Sequence, residues 1–265
     1  ALARLLGQEL DRTHRLLHAA GIRHDGQRRL SIYRFRHILI QRYLYQQLDE
    51  AERAYRHEAV AGALEALHGH DAARLAASAL ARHFAAAEQP HRAAPYWREA
   101  GDQAWRAAAI AEATQYYRSA LDAWPEADEA ERAALLRQLG NCHWFSSRLD
   151  EAMSHLETAF ELYTRLDDRQ GAGAVQRAIG RLYWEQGDRQ LALQHSRQAL
   201  ELLEPEPEGV ELAWAYSSIS QMHMLAWEHE DAISWGERAM ALARRLGAPD
   251  VLSHALNNVG SSLWQ

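Results

Sequence analysis

The chain contains no lysine, and all 29 of its basic residues are arginine. That absence excludes a phosphate-binding loop of the Walker type, which needs its lysine, and a Schiff-base mechanism, which needs an amine. A single cysteine, Cys142, stands in 265 residues, so no internal disulfide can form, and its place on a helical pattern assigns it to a packed interior. Glycine and proline are few, 15 and 6, and fall mostly between helical stretches. No run approaches the ~18 to 20 uninterrupted apolar residues of a membrane span, and the first residues lack the charged-then-apolar layout of a signal peptide. A cytoplasmic chain with no membrane partner is therefore expected.

Catalytic signatures are also missing. No nucleophile elbow occurs, and Ser, His and Asp are scattered over separate helical stretches, so the expectation is no enzyme activity in this chain. Fifteen histidines invite a metal, but His14 with His18, and His68 with His70 and Asp71, fall short of a three- or four-ligand set. His57-Glu58 begins a zinc-protease pattern whose second histidine position holds Ala61. No metal site is expected.

What the chain has instead is a repeat. Gly140, Gly180, Ser220 and Gly260 are small residues spaced 40 apart; alanines follow the first three at Ala152, Ala192 and Ala232, and again at Ala159, Ala199 and Ala239. Small residues at fixed helical offsets mark the close approach of two helices in a hairpin, so each period reads as one helix-turn-helix unit. One such pair cannot bury its apolar face, and stacking pairs supplies the missing surface. The expected fold is an all-α solenoid. First helices are predicted near 130–145, 172–186 and 211–226, and second helices near 150–166, 189–203 and 230–246. Asp167-Asp168, the Pro- and Glu-rich run 204–209 and Gly247 to Asp250 mark the turns between repeats. Leu139, Ile179, Ile219 and Val259, with Ala152 and Leu156, are the expected core.

The first 60 residues break this pattern. They hold 11 arginines against seven acidic residues, a balance of +4 within a net charge of −7. A helix is predicted from about Gln8 to Ala20, then β-type runs at 22–23 and 30–35 separated by the turn signal Asp25-Gly26, then a helix from His37. Arg23, Arg28, Arg29, Arg34 and Arg36 are dense enough to meet nucleic acid, although a solvated hairpin is the other reading. Helix, hairpin, helix suggests the end of a winged-helix domain at 1–48. Linking helices and degenerate repeats follow at 49–124, with the regular repeats at 125–265. The chain starts without methionine and stops within a repeat, which reads as a piece of a longer protein.

Leu139-Gly140, Ala152, Leu156 and Ala159 resemble the tetratricopeptide repeat signature, and the 40-residue period resembles the longer variety in the maltose-regulon activator of bacteria. Upstream, YRFRHILIQRYLYQQL, RAYRHEAVAGALEAL and LARHFAAA are similar to the segment joining winged helix to repeats in bacterial STAND ATPases. The resemblance implies a non-enzymatic sensor or interaction scaffold of a signal-transduction ATPase or transcription regulator. An upstream nucleotide-binding module of the same chain would take ATP or ADP, and no cofactor belongs to this stretch itself. DNA binding through the basic segment, or self-assembly alone, are the alternatives. His37 sits where related switches carry the histidine of a methionine-histidine-aspartate motif that contacts ADP; here Ile38 replaces the aspartate, and capping of the next helix is an equal reading.

In tetratricopeptide repeats the first helix of each pair lines the concave face. Counting from the small signature residues, that face is expected to carry Arg137 and Arg177, Asn141, Arg181 and Gln221, and Trp144, Trp184, Met224 and Trp264. Guanidinium forks grip oxyanions and indoles supply contact area, which suits a protein partner or a small-molecule inducer. The competing readings are that the Trp row packs one repeat on the next, and that the arginines form ion pairs with an adjacent repeat.

Overall fold

The computed structural model describes residues 17–25, 28–124 and 128–264. It opens with an antiparallel hairpin, β1 (Leu17–Asp25) and β2 (Arg28–Phe35). Then come α1 (Ile38–Gln47), α2 (Glu50–His68), a 3-10 turn at Gly69–Asp71, and α3 (Ala72–Ala86). The repeats follow as α4 (Pro90–Arg106) with α5 (Ile110–Ala123), α6 (Glu129–Phe145) with α7 (Leu149–Arg165), α8 (Arg169–Glu185) with α9 (Arg189–Leu203), and α10 (Val210–Leu225) with α11 (His229–Leu246). The last described helix is α12 (Pro249–Trp264). The whole is an α-solenoid of tetratricopeptide-like hairpins preceded by a short β-hairpin.

The small signature residues hold each pair together. A Cβ added to Gly140 would sit 2.6 Å from Leu156 Cγ, and one at Gly180 would sit 3.0 Å from the Ala192 carbonyl. Ser220 uses its hydroxyl, donating to the Ala232 carbonyl at 2.7 Å. The earlier, less regular pair follows the same rule, since a Cβ added to Gly101 would sit 2.6 Å from the ring of Tyr117. Leu139, Ile179, Ile219, Val259, Ala152 and Leu156 are all buried, as is Cys142, whose thiol burial pushes up to about 11.

The turns within pairs also repeat. Ser147, Gly187 and Trp227 have φ of 58°, 83° and 63°, the left-handed conformation that ends a helix. Each is followed by a residue whose N–H returns to a carbonyl five back: Arg148 to His143, Asp188 to Tyr183 and Glu228 to His223, all at 2.9 Å. Asp128, Asp168 and Asp188 start the next helices, each accepting a backbone N–H three residues on.

One expectation fails at the start of the chain. Residues 17–20, expected to close a helix, belong to β1, and Leu17 lies opposite Phe35 in the ladder. The β-prone run of β2 needs a partner of its own length, and cross-strand pairing overrides the helix preference of Leu17, Ala19 and Ala20. A bulge between Ala19 and Gly21 absorbs the mismatch. The rest of that expected helix, and the Gly26 turn position, lie outside the described residues.

Candidate functional site

First helices of neighbouring pairs touch one another along one face of the array. This follows from the repeat: the second helices fill the outer layer, so the first helices form the inner wall of the stack. Residues from α4, α6, α7, α8, α10 and α12 enclose a groove there of about 530 Å³. A continuation of about 380 Å³ shares Arg181 and Gln221 with it and is also lined by Trp184.

The polar centre of the groove is a set of arginines on successive first helices. Arg177 Nη2 lies 3.5 Å from Glu211 Oε2, and Arg137 Nη1 lies 3.6 Å from Glu211 Oε1, so one carboxylate serves two guanidiniums. Arg181 Nη1 donates to Gln221 Oε1 at 3.0 Å and its guanidinium stacks over the Trp144 ring at 4.6 Å. Arg177 sits 5.7 Å from the Trp214 ring centroid. Burial pulls the Arg177 guanidinium below its ordinary pKa; Glu211 opposes the shift and Arg137 adds to it. Arg181 is lowered for the same first reason, with Glu185 opposing and Arg177 adding. Guanidinium stays protonated regardless, so these directions describe charge held against poor solvation.

His254 of α12 closes the groove. Its Nδ1 is 2.7 Å from Ser217 Oγ, and its ring lies 5.4 Å from that of Trp214. Burial lowers its pKa first, and Arg181 and Arg177 lower it further, so the ring is neutral at pH 7.

Asn141, Trp144, Arg177, Arg181 and Gln221 thus come together in one groove. Trp184 lines the continuation, whereas Arg137 lines neither volume; it lines a separate small cavity and is linked to Arg177 through Glu211. Met224 is half-buried and lines neither volume, while Trp264 is 91% exposed. Both competing readings also have a physical basis here, because Trp144 packs on the core between α6 and α8 and the arginines do form ion pairs with an adjacent repeat.

Sequence reasoning did not single out Glu211, Trp105, Trp214 or His254. The signal was present: Trp105 stands four after Gly101, as Trp144 stands four after Gly140, and Trp214 and His254 each stand six before their signature residue.

At the other end, His37 accepts the Leu39 N–H through Nδ1 at 3.2 Å and caps α1. Arg34 and Arg36 are exposed; Arg23, Arg28 and Arg29 lie on the two strands, opposite Leu30, Asp25 and His24. Among the described residues His223, Glu228 and Asp231 bring ligand atoms within 4.8 Å of each other. Glu228 is already engaged by Arg189 and by His223, which leaves that group a surface ion-pair network. Among the described residues no helix is long and apolar enough to cross a membrane.

A tetratricopeptide repeat model matches residues 131–204, which are α6 through α9. Solved structures share the architecture. The crystal structure of BtubC (BKLC) from P. vanneervenii is 16% identical, with a TM-score of 0.51, over 81% of this chain and 83% of that one. The crystal structure of aspartyl phosphate phosphatase F from Bacillus subtilis is 15% identical, with a TM-score of 0.59, over 82% of this chain and 57% of that one. At such identity the likeness is one of fold alone.

Proposed function

We propose that this chain is a non-enzymatic interaction scaffold that receives a partner segment in the groove of its first helices. The observation that carries this reading is the arginine cluster set among tryptophans. Holding guanidiniums partly desolvated with incomplete pairing is unfavourable for a free solenoid, and an incoming acceptor offsets that cost. The aromatic walls supply the desolvated contact area on which hot-spot residues act.

The wider setting is a STAND-type regulatory ATPase or transcription regulator. In that setting the repeats sense the partner, and a nucleotide module earlier in the protein switches between ATP and ADP. The motifs around Phe35 to His37 support it, although Ile38 stands in place of the motif's aspartate and His37 caps α1. Partner binding would favour one packing of repeats on that module, with its differential affinity for the two states as the driving force.

The test is site-directed crosslinking. With benzoylphenylalanine in place of Gln221, light should trap a discrete partner in cells of the source organism, and adding Arg177→Ala and Arg181→Ala should abolish the adduct. An adduct that survives both changes would place the partner elsewhere and sink the groove reading.

A further inference from the structure

We infer that the groove is selective for an acidic peptide segment, whose carboxylate meets the Arg177 and Arg181 guanidiniums that the repeats leave incompletely paired. The inference rests on the partner-binding reading above and adds the chemistry of the partner.

An arginine ladder is visible in the repeat register. Three residues before successive signature glycines stand Arg98, Arg137 and Arg177, and nine residues before the next signature residue stand Glu131, Gly171 and Glu211. The first rung is complete, with Arg98 Nη1 donating to both Glu131 oxygens at 2.5 Å. The third is Arg177 with Glu211. The second has no acid, because Gly171 lies under the ring of Tyr163, which any Cβ there would strike. Tyr163 brings a neutral hydroxyl to Arg137, a hydrogen bond that works against the burial that raises the tyrosine pKa.

Arg137 therefore turns to Glu211 and divides that carboxylate with Arg177 at long range. Two consequences follow. The buried Nε atoms of Arg137 and Arg177 have no hydrogen-bond partner among the described residues. Among the described residues Arg181 has the neutral Gln221 as its acceptor, and Glu185 influences it without forming an ion pair. Arg177 and Arg181 thus line the groove while Glu211 is shared with Arg137 behind them, in a chain whose net charge is −7. A locally positive, low-dielectric groove in an acidic protein concentrates anions there.

The shape favours a peptide over a compact ion. The groove and its continuation meet at Arg181 and Gln221, which gives an elongated channel. Trp105, Trp144, Phe145 and Trp214 line the broader part. The acid should therefore be flanked by a large apolar or aromatic residue. Glu211 becomes a resident competitor for the same donors, so removing its charge strengthens binding of an acidic ligand.

Three fluorescein-labelled hexapeptide pools test this by anisotropy. Each is fixed centrally as Asp, Asn or Arg, with randomised small, apolar and aromatic residues on either side. The Asp pool should bind at least tenfold tighter than the Asn pool and lose at least tenfold with Arg177→Gln plus Arg181→Gln. Glu211→Gln should tighten it severalfold. Because Glu211→Gln changes stability, a second readout is thermal: inorganic phosphate should raise the Tm of Glu211→Gln more than that of the wild type. Equal binding of the Asp and Asn pools, or weaker Asp-pool binding by a folded Glu211→Gln protein, overturns the acidic specificity. If the Gln221 crosslink is still formed and still needs the arginines, that result removes the ligand class and leaves the scaffold reading standing.

Discussion

Arg98 and Arg137 occupy the same place in successive repeats, yet one has a carboxylate to itself and the other does not. Arg98 grips Glu131 with both carboxylate oxygens at 2.5 Å, whereas Arg137 reaches Glu211 at 3.6 Å and shares it. The backbone offers both arginines equivalent neighbours, and one residue decides the difference, Glu131 in one repeat against Gly171 in the next. A repeat fold thus sets where side chains stand, while single departures from the repeat create local charge imbalance. The same contrast recurs at His143 and Tyr183, and at Ser147 and Gly187, each pair 40 residues apart.

The strongest way to break the comparison is to fill the missing rung. Gly171→Glu drives a side chain into the Tyr163 ring and should cost about 3 kcal/mol in urea unfolding, by overpacking. A smaller loss should come from Glu211→Ala, which strands two half-buried guanidiniums at a cost of about 2 kcal/mol. Glu131→Ala breaks a single, more exposed pair and should cost under about 1 kcal/mol. If these two losses prove equal, the shared carboxylate has no special weight.

Acid separates the second pair of positions. His143 is buried, both its ring nitrogens lack partners among the described residues, and burial lowers its pKa from 6.5 to about 4, with Arg148 and His155 adding to the shift. The unfolded chain takes up this proton near pH 6.5 and the folded one only near pH 4, so stability should fall as pH drops across that window. His155, His195 and His254 are lowered too and act in the same direction. In His143→Tyr, which copies Tyr183, the loss of Tm between pH 7 and 4.5 should be visibly smaller.

The smallest effect concerns the turns. Gly187 suits its left-handed φ, while Ser147 and Trp227 carry side chains at the same position. Ser147→Gly removes that strain and should raise stability by about 0.5–1 kcal/mol, net of the entropy glycine adds to the unfolded chain. No gain would mean that the Ser147 backbone is already relaxed by its neighbours.

Much of this was legible from residue spacing. Small residues at 140, 180 and 220 fixed the helix pairs because close approach tolerates nothing larger, and the core followed from the same register. Asn141, Trp144, Arg177, Arg181 and Gln221 fell on one face by counting alone. Glu211 was not legible as part of the site, since nothing in one repeat says that its acid faces two arginines belonging to the two repeats before it. Trp105 escaped because the spacing from Gly101 to Gly140 is 39 rather than 40. The strand at Leu17 to Ala20 escaped because a strand takes its identity from its partner, and local pattern there favours a helix.

By itself the sequence determined the helix pairs, their stacking and the face that carries arginine and tryptophan, because helical periodicity and side-chain size act over short distances. The tertiary structure alone decided which arginines are paired and which are left with unmet donors. That outcome depends on distances between helices 30 to 75 residues apart in the chain, where the ring of Tyr163 excludes an acid and Glu211 must answer for two.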